Sequence, residues 1–196
     1  MPVASVDLLL RRRRVVSGLV LMIAGLTTPA LADAPFGPRV GTVAPRIEAL
    51  QDQNGKPREL MALAGPKGVV LMFFRSARWC PFCQAQLIAM NEGAAEIEKR
   101  GYKIVAVSYD QPTVTQGFTN RRAITFPMLS DPKSKVIDRW GLRDPQYPMG
   151  DLAYGVPRPI IFVIDRKGVI RGSLAEETYQ KRPPVTEVVK VLDGIR

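Results

Sequence analysis

The sequence contains no histidine and only two cysteines among its 196 residues, and aromatic residues make up 7% of it. Without histidine, the chain cannot build a histidine-dependent catalytic triad, a histidine-ligated zinc site or a histidine-ligated haem. Two cysteines are also too few for a disulfide-rich scaffold. Because 46% of the residues are hydrophobic, the composition is typical of one folded globular domain.

The net charge of +10 at neutral pH raises the question of nucleic-acid binding. Apart from the run Arg11–Arg14, the basic residues are dispersed in twos and threes, as in Arg121-Arg122 and Arg166-Lys167. No basic stripe is interleaved with aromatic residues. We therefore predict no nucleic-acid partner, and a solvated basic surface that favours anionic partners.

The first 32 residues have the pattern of a secretory signal peptide. The basic run Arg11–Arg14 precedes the apolar run 15–26, and Ala30-Leu31-Ala32 precedes Asp33. This order predicts cleavage after Ala32 and a periplasmic or secreted protein. The alternative is an uncleaved anchor, which would give a membrane contact, but the apolar run is shorter than the ~20 residues that a span needs.

Beyond residue 32 the sequence indicates a flexible lead-in at 33–40 and one domain at 41–196. Continuous apolar runs predict buried strands, and apolar residues at steps of three and four predict helices. The predicted strands are 47–50, 69–74, 103–108, 160–164 and 169–174, and the predicted helices run from Cys80 to near Gly101, from 132 to 140 and from 184 to 195. The order βαβ, connecting helix, ββα predicts an α/β fold with a central mixed β-sheet flanked by helices.

The two cysteines lie three positions apart, where a buried strand ends and a helix begins. At this position, the helix dipole and unpaired N–H groups stabilise a thiolate at Cys80 and lower its thiol pKa. Arg75 and Arg78 precede Cys80 and add positive potential. Cys83, about one helical turn later, can resolve a mixed disulfide or an oxidised Cys80 within the same chain.

Two structural roles compete with redox chemistry at Cys80 and Cys83. One is half of a zinc site, but zinc needs four ligands and the chain has no other cysteine and no histidine. The other is a static disulfide, but so small a ring stabilises the fold by only about 2 kcal/mol. The pair therefore predicts a redox-active dithiol that uses no metal and no cofactor.

In this order of elements, Trp79-Cys80-Pro81-Phe82-Cys83 resembles the active-site segment of the thioredoxin-fold superfamily. From about Gly41 to Leu174, the chain is similar to the redoxin group, the alkyl hydroperoxide reductase/thiol-specific antioxidant (AhpC/TSA) proteins, which are peroxiredoxin-like. The stretches that carry this likeness are 43–45, 52–55, 73–83, 105–110, 126–132 and 162–168. The resemblance implies a thioredoxin-like fold.

The resemblance also implies a cis-proline loop beside the dithiol. Pro159 is the expected cis-proline and Pro157 is the alternative, although either could be an ordinary proline at the start of a strand. Arg158 would then present its backbone, and its charge, to a substrate. The resemblance thus implies Trp79, Arg158 and Pro159 as substrate-binding residues beside Cys80.

Several positions depart from the family patterns. Peroxiredoxins carry Thr or Ser three residues before the reactive cysteine, where this chain has Ala77, and Ser76 is one place away. Arg158 is displaced by one from the position of the peroxiredoxin arginine, and Phe74 replaces the buried acid of thioredoxins. The chain therefore matches neither the peroxiredoxin pattern nor the thioredoxin pattern in full.

Three functions follow as hypotheses. The first is an exported thiol–disulfide oxidoreductase, in which Cys80 attacks protein or small-molecule disulfides and Cys83 resolves the product. The second is a peroxiredoxin-like thiol peroxidase that reduces hydroperoxides, and the third is a non-catalytic binding module. The first two require a disulfide or hydroperoxide substrate and a thiol or disulfide partner for electron transfer.

Overall fold

The computed structural model describes Met1 and residues 34–195, so the predicted signal segment lies outside the described residues except for Met1. The strands are β1 Leu50–Gln51, β2 Pro57–Arg58, β3 Gly68–Phe73, β4 Tyr102–Ser108, β5 Met128–Ser130, β6 Ile160–Asp165 and β7 Ile170–Leu174. The helices are α1 Pro81–Glu92, α2 Ala94–Glu98, α3 Pro112–Arg122, α4 Lys135–Arg139 and α5 Val185–Gly194, and Leu60–Ala62 forms one 3-10 turn. None of the helices in this described part is long and apolar enough to cross a membrane.

The seven strands form one sheet in the order β2-β1-β5-β4-β3-β6-β7. Strand β3 lies inside the sheet, where it pairs parallel with β4 and antiparallel with β6. Strands β6 and β7 pair antiparallel, as the turn between them predicts. This arrangement confirms the predicted central mixed sheet with flanking helices.

Hydrophobic residues cover both faces of the sheet. All six residues of β3 are buried, because alternate side chains enter one or the other of two apolar clusters. Val70 and Met72 belong to the cluster that also contains Cys80 and Cys83. The dithiol therefore packs in the hydrophobic core rather than on a surface loop.

Strand β2, strand β5 and helix α3 were not predicted from the sequence, and some predicted elements have other bounds. The predicted strand 47–50 is Leu50–Gln51, and the predicted helix from Cys80 to near Gly101 is divided at Gly93 into α1 and α2. Helix α3 is mainly polar and buries only Thr115 and Phe118, and β5 has only three residues. The helix predicted at 132–140 is Lys135–Arg139 instead. The reason is that the Asp131 carboxylate accepts hydrogen bonds from the N–H groups of residues 135, 136 and 137, so the helix begins later than Pro132 suggests.

Residues 34–40 of the predicted lead-in contact the domain. The backbone N–H of Ala34 donates to Ser173 Oγ at 3.1 Å. The Phe36 ring lies 4.1 Å from the guanidinium carbon of Arg158. The described part of this segment therefore packs against β7 and against the residues that precede β6.

Candidate active site

Cys80 is the N-cap residue of α1, as the sequence predicts. Pro81 occupies the first helical turn, and the Cys83 N–H donates to Cys80 Sγ at 3.3 Å. Cys80 and Cys83 form a disulfide, with their Cα atoms 5.2 Å apart. Cys80 is 2% exposed and Cys83 is 0% exposed, so the sulfurs lie beneath the surface.

The buried Asp110 carboxylate holds the loop that precedes Cys80. It accepts hydrogen bonds from Ser76 Oγ at 2.8 Å and from the Ala77 N–H at 2.7 Å. Ser76 Oγ in turn accepts from the Arg78 N–H at 2.9 Å. Because the Ser76 hydroxyl is used within the loop, it does not replace the hydroxyl group missing at Ala77.

Burial raises the pKa of Asp110 above its ordinary value of 3.8, while hydrogen bonds from Ala77, Ser76 and Ser108 partly oppose that rise. The folded protein therefore holds a proton on Asp110 more tightly than the unfolded chain does. The stability that this group contributes is full below pH 3.8 and is lost as the pH rises through the folded pKa.

We expect the Asp110→Asn variant to remove this pH dependence, because asparagine does not titrate. The free energy of unfolding of the wild type, relative to the variant, should fall as the pH rises above 3.8 and then level off. Urea unfolding of both proteins across the acid range measures this difference. A difference that grows with rising pH would contradict the assigned direction.

Arg182 contacts the dithiol, and the sequence did not identify it. Its Nη2 lies 3.4 Å from Cys83 Sγ and 4.0 Å from Cys80 Sγ. Burial, together with repulsion from Arg75, lowers the pKa of Arg182 to about 10, so the group is still cationic at neutral pH. The sequence offers no local signal for this contact, because Arg182 follows β7 and is 99 positions from Cys83.

Arg75 supplies a second cation in the same region. It is 3% exposed, and its guanidinium carbon lies 5.1, 4.8 and 4.2 Å from the ring centroids of Trp79, Tyr147 and Tyr179. Within the described residues, neither Arg75 nor Arg182 forms a salt bridge with a carboxylate. Arg75 is buried and Arg182 is partly buried. Two such cations without an acidic partner favour an anion beside them, and the thiolate of a reduced cysteine is such an anion.

Trp79, a predicted substrate-binding residue, lies next to Cys80 and is 41% exposed. Its Nε1 donates to the Tyr109 hydroxyl at 3.0 Å. Trp79 and Tyr109 line an apolar groove of about 570 Å³ with the exposed Leu152. The groove adjoins the cysteine motif, and a role for Trp79 in binding stays a prediction.

The cis-proline expectation is wrong, because the described residues contain no cis peptide bond, including those before Pro157 and Pro159. The segment is extended and paired instead. Pro157 forms an antiparallel bridge with Arg143. The Arg158 N–H donates to Leu142 O at 2.7 Å, so this part of its backbone is not available to a substrate chain.

Two contacts hold the Arg158 side chain. Its Nη2 donates to Gly141 O at 3.0 Å, and its guanidinium lies over Phe36. Arg158 and Pro159 line a cavity of about 310 Å³ that Arg182 also lines. Arg182 is therefore the residue that connects these two predicted residues with the dithiol.

The chain is similar to known proteins over most of the described region. A model of the AhpC/TSA family matches residues 40–173. Chloroplastic peroxiredoxin Q of Populus jackii is 28% identical over 152 residues, which span 78% of this chain and 67% of the relative. Peroxiredoxin Bcp of Escherichia coli is 29% identical over 132 residues, which span 67% of this chain and 82% of the relative.

A solved structure is similar as well. The crystal structure of peroxidoxin BcpB from Mycobacterium tuberculosis is 26% identical to this chain, with a TM-score of 0.69. The match covers 80% of this chain and 97% of the other chain. This similarity confirms the thioredoxin-like architecture predicted from the sequence.

Proposed function

Because the chain belongs to the AhpC/TSA family, we propose that it is a peroxiredoxin-like thiol peroxidase. In this proposal, a hydroperoxide oxidises Cys80, and Cys83 resolves the product as a disulfide. The single observation that carries the proposal, beside the family, is the partly buried Arg182 guanidinium, which lies within 4.0 Å of both sulfurs. The comparisons favour this function over the exported disulfide oxidoreductase that headed the hypotheses from sequence.

The reaction transfers two electrons from the dithiol to the peroxide. The Cys80 thiolate attacks one peroxide oxygen, so that an S–O bond forms and the O–O bond breaks. The leaving alkoxide or hydroxide takes a proton and departs as an alcohol or water. Cys83 then attacks the sulfenic sulfur of Cys80, so that the S–S bond forms and the S–O bond breaks, and the hydroxide leaves as water with the thiol proton of Cys83. The product is the disulfide present in the structure.

Arg182 supplies what this chain lacks at the family positions. Ala77 has no hydroxyl group, Ser76 is bonded to Asp110, and Arg158 lies over Phe36. A guanidinium at Arg182 stabilises the thiolate before the reaction and the negative charge that develops on the peroxide oxygen during it. Because Arg182 lies beside both sulfurs, it can stabilise the charge of the thiolate and the charge of the transition state.

One observation favours a second candidate, disulfide exchange with a protein. Trp79 and Phe82 flank Cys80 and are 41% and 40% exposed, which gives the motif an apolar rim. Such a rim suits contact with another polypeptide. The same surface would also receive a protein that reduces the Cys80–Cys83 disulfide, so it does not by itself select disulfide exchange as the main activity.

A stopped-flow measurement distinguishes these two candidates. We expect hydrogen peroxide to oxidise the reduced protein at least about a hundredfold faster than it oxidises free cysteine at the same thiolate concentration, because the transition state is stabilised by preorganised charge. Oxidised glutathione, tested in parallel, should react more slowly. A peroxide rate equal to that of free cysteine, with rapid reaction of the disulfide, would favour exchange instead.

Export is a separate part of the proposal and depends on residues 1–32 alone. The basic run, the apolar run and the Ala30-Leu31-Ala32 pattern support a periplasmic or secreted location. The N-terminal sequence of the protein recovered from cells tests whether the chain is exported. A chain that begins at Asp33 supports export, whereas an intact N-terminus in the cytoplasmic fraction would overturn it.

A further inference from the structure

The segment that joins β7 to α5 brings Arg182 to the dithiol. We call this segment the strap and define it as residues 175–184. Arg182 Nη2 lies 3.4 Å from Cys83 Sγ and 4.0 Å from Cys80 Sγ. The place of this guanidinium beside the sulfurs therefore depends on what holds the strap.

Backbone hydrogen bonds do not hold the middle of the strap. Within the part of the chain that the structure describes, residues 176–183 make no backbone–backbone hydrogen bond. The Arg182 guanidinium donates to the backbone of its own neighbour, from Nη1 to Lys181 O at 2.7 Å, and this bond does not tie the strap to the domain. Side-chain packing must therefore fix the strap between β7 and α5.

The Tyr179 side chain packs on two residues of the active-site region. Its ring centroid lies 4.2 Å from the guanidinium carbon of Arg75 and 6.1 Å from the ring centroid of Phe82, which it meets edge to face. Arg75 is 3% exposed, and a cation binds an aromatic ring most strongly where water is excluded. Tyr179 therefore joins the strap to the loop before Cys80 and to the first turn of α1.

Arg75 is also held by residues outside the strap. Its Nη2 donates to the Tyr147 hydroxyl at 2.5 Å. Its guanidinium carbon lies 5.1 Å from the ring centroid of Trp79 and 4.8 Å from that of Tyr147. Loss of the Tyr179 ring leaves these contacts in place, so Arg75 is a fixed point to which Tyr179 attaches the strap.

Arg182 needs such an anchor because its surroundings disfavour its charge. Burial lowers the pKa of Arg182 to about 10, repulsion from Arg75 contributes to that fall, and Tyr179 opposes it. The other ionisable groups of the strap and of the loop before α1 are Arg78, Glu176, Glu177 and Lys181, and Asp110 is bonded to that loop. Among the described residues, Arg182 is the charged side chain that contacts the sulfurs. Without an anchor, repulsion and hydration would both draw its guanidinium into water.

We propose that Tyr179 is a positioning residue for the reaction at Cys80, because its ring, packed on Arg75, anchors the strap and keeps Arg182 beside the sulfurs. This inference rests on the proposed function, in which Arg182 stabilises the thiolate and the charge that develops on the peroxide. Tyr179 acts through Arg182 and takes no part in the making or breaking of bonds.

The thiol pKa of Cys80 tests this role without any peroxide. It is measured from the pH dependence of alkylation by iodoacetamide in reduced protein that carries Cys83→Ser, where Cys80 is the only thiol. Tyr179→Ala should raise this pKa by about one pH unit, because a cation that leaves the sulfur no longer favours the thiolate. At a pH below both pKa values, oxidation by hydrogen peroxide should then be about tenfold slower.

Three further comparisons separate anchoring from general packing. Tyr179→Phe keeps the ring and should keep the wild-type thiol pKa, whereas Tyr179→Leu has no π-system and should raise it as Tyr179→Ala does. Tyr154→Ala is the matched control and should change nothing, since the Tyr154 ring packs at 4.6 Å on Arg143, whose guanidinium pairs with Asp138. In the Arg182→Met background, Tyr179→Ala should have no further effect on the thiol pKa.

An unchanged thiol pKa in Tyr179→Ala and Tyr179→Leu would overturn the proposal, and so would an undiminished effect of Tyr179→Ala in the Arg182→Met background. Should Tyr179→Ala fail to fold, the comparison of Tyr179→Leu with Tyr179→Phe decides the matter. A rapid peroxide reaction of the wild type, with an unchanged thiol pKa in the variants, removes only the anchoring role. A slow peroxide reaction of the wild type removes the proposed function, whatever the thiol pKa of the variants.

Discussion

The Cys80→Ser variant is expected to lose peroxide reduction by at least about a thousandfold. The serine hydroxyl stays protonated at neutral pH and cannot act as the nucleophile that a thiolate provides. The matched substitution Cys83→Ser should leave the first oxidation step close to the wild-type rate. We expect the two variants to differ because Cys80 is the N-cap residue of α1 and its sulfur accepts the Cys83 N–H.

The product of the Cys83→Ser variant identifies the reactive cysteine. Without a resolving thiol, the sulfenic acid on Cys80 should persist and react with dimedone, and mass spectrometry of the peptide containing Cys80 should show the adduct. With a small disulfide in place of peroxide, the same variant should form a mixed disulfide through Cys80. If Cys80→Ser instead forms the sulfenic acid on Cys83 at an undiminished rate, the two roles are reversed.

The Arg182→Met variant should raise the thiol pKa of Cys80 in the reduced protein. An opposite charge within about 4–6 Å of an ionisable group shifts its pKa by about 1–3 units, and Arg182 Nη2 lies 4.0 Å from Cys80 Sγ. Removal of this cation therefore leaves less thiolate below the pKa. We expect oxidation by hydrogen peroxide to be at least about tenfold slower near pH 6, with a smaller difference at alkaline pH.

Two further variants separate charge from packing at Arg182. Arg182→Lys keeps the cation and should restore part of the rate at low pH. Arg121→Met removes an exposed arginine of α3 with the same substitution and should have no effect. The pH at which the rate constant falls to half of its plateau gives the thiol pKa of Cys80 in each variant. A tenfold loss in Arg182→Met that is the same at every pH, with no rescue by lysine, would mean that the arginine only supports the segment after β7.

The position of Cys80 could be predicted from sequence because two local signals coincide. The apolar run of β3 predicts a buried strand, and the cysteine motif with Pro81 predicts the start of a helix. Both signals act over a few residues, and the structure places β3 and α1 accordingly. By contrast, α3 buries only Thr115 and Phe118, too few apolar residues to reveal a helical period.

Arg182 could not be predicted because tertiary structure alone brings it to the sulfurs. The chain returns to the dithiol after β7, and neither Lys181 nor Pro183 indicates that return. Arg158, by contrast, was predicted as a substrate-binding residue, and that role stays a prediction. Its expected place beside the dithiol came from spacing in related proteins, and spacing does not report that its N–H pairs with Leu142 O and that its guanidinium lies over Phe36.

The pH dependence of peroxide oxidation in the reduced wild-type protein tests the central claim most directly, since that claim is an ionised Cys80 sulfur beside the Arg182 guanidinium. A free cysteine thiol has a pKa of about 8.5. The account predicts a rate constant for hydrogen peroxide that stays level down to at least about one pH unit below that value before it declines. A rate constant that falls tenfold for each unit from about pH 8.5 downward would contradict it.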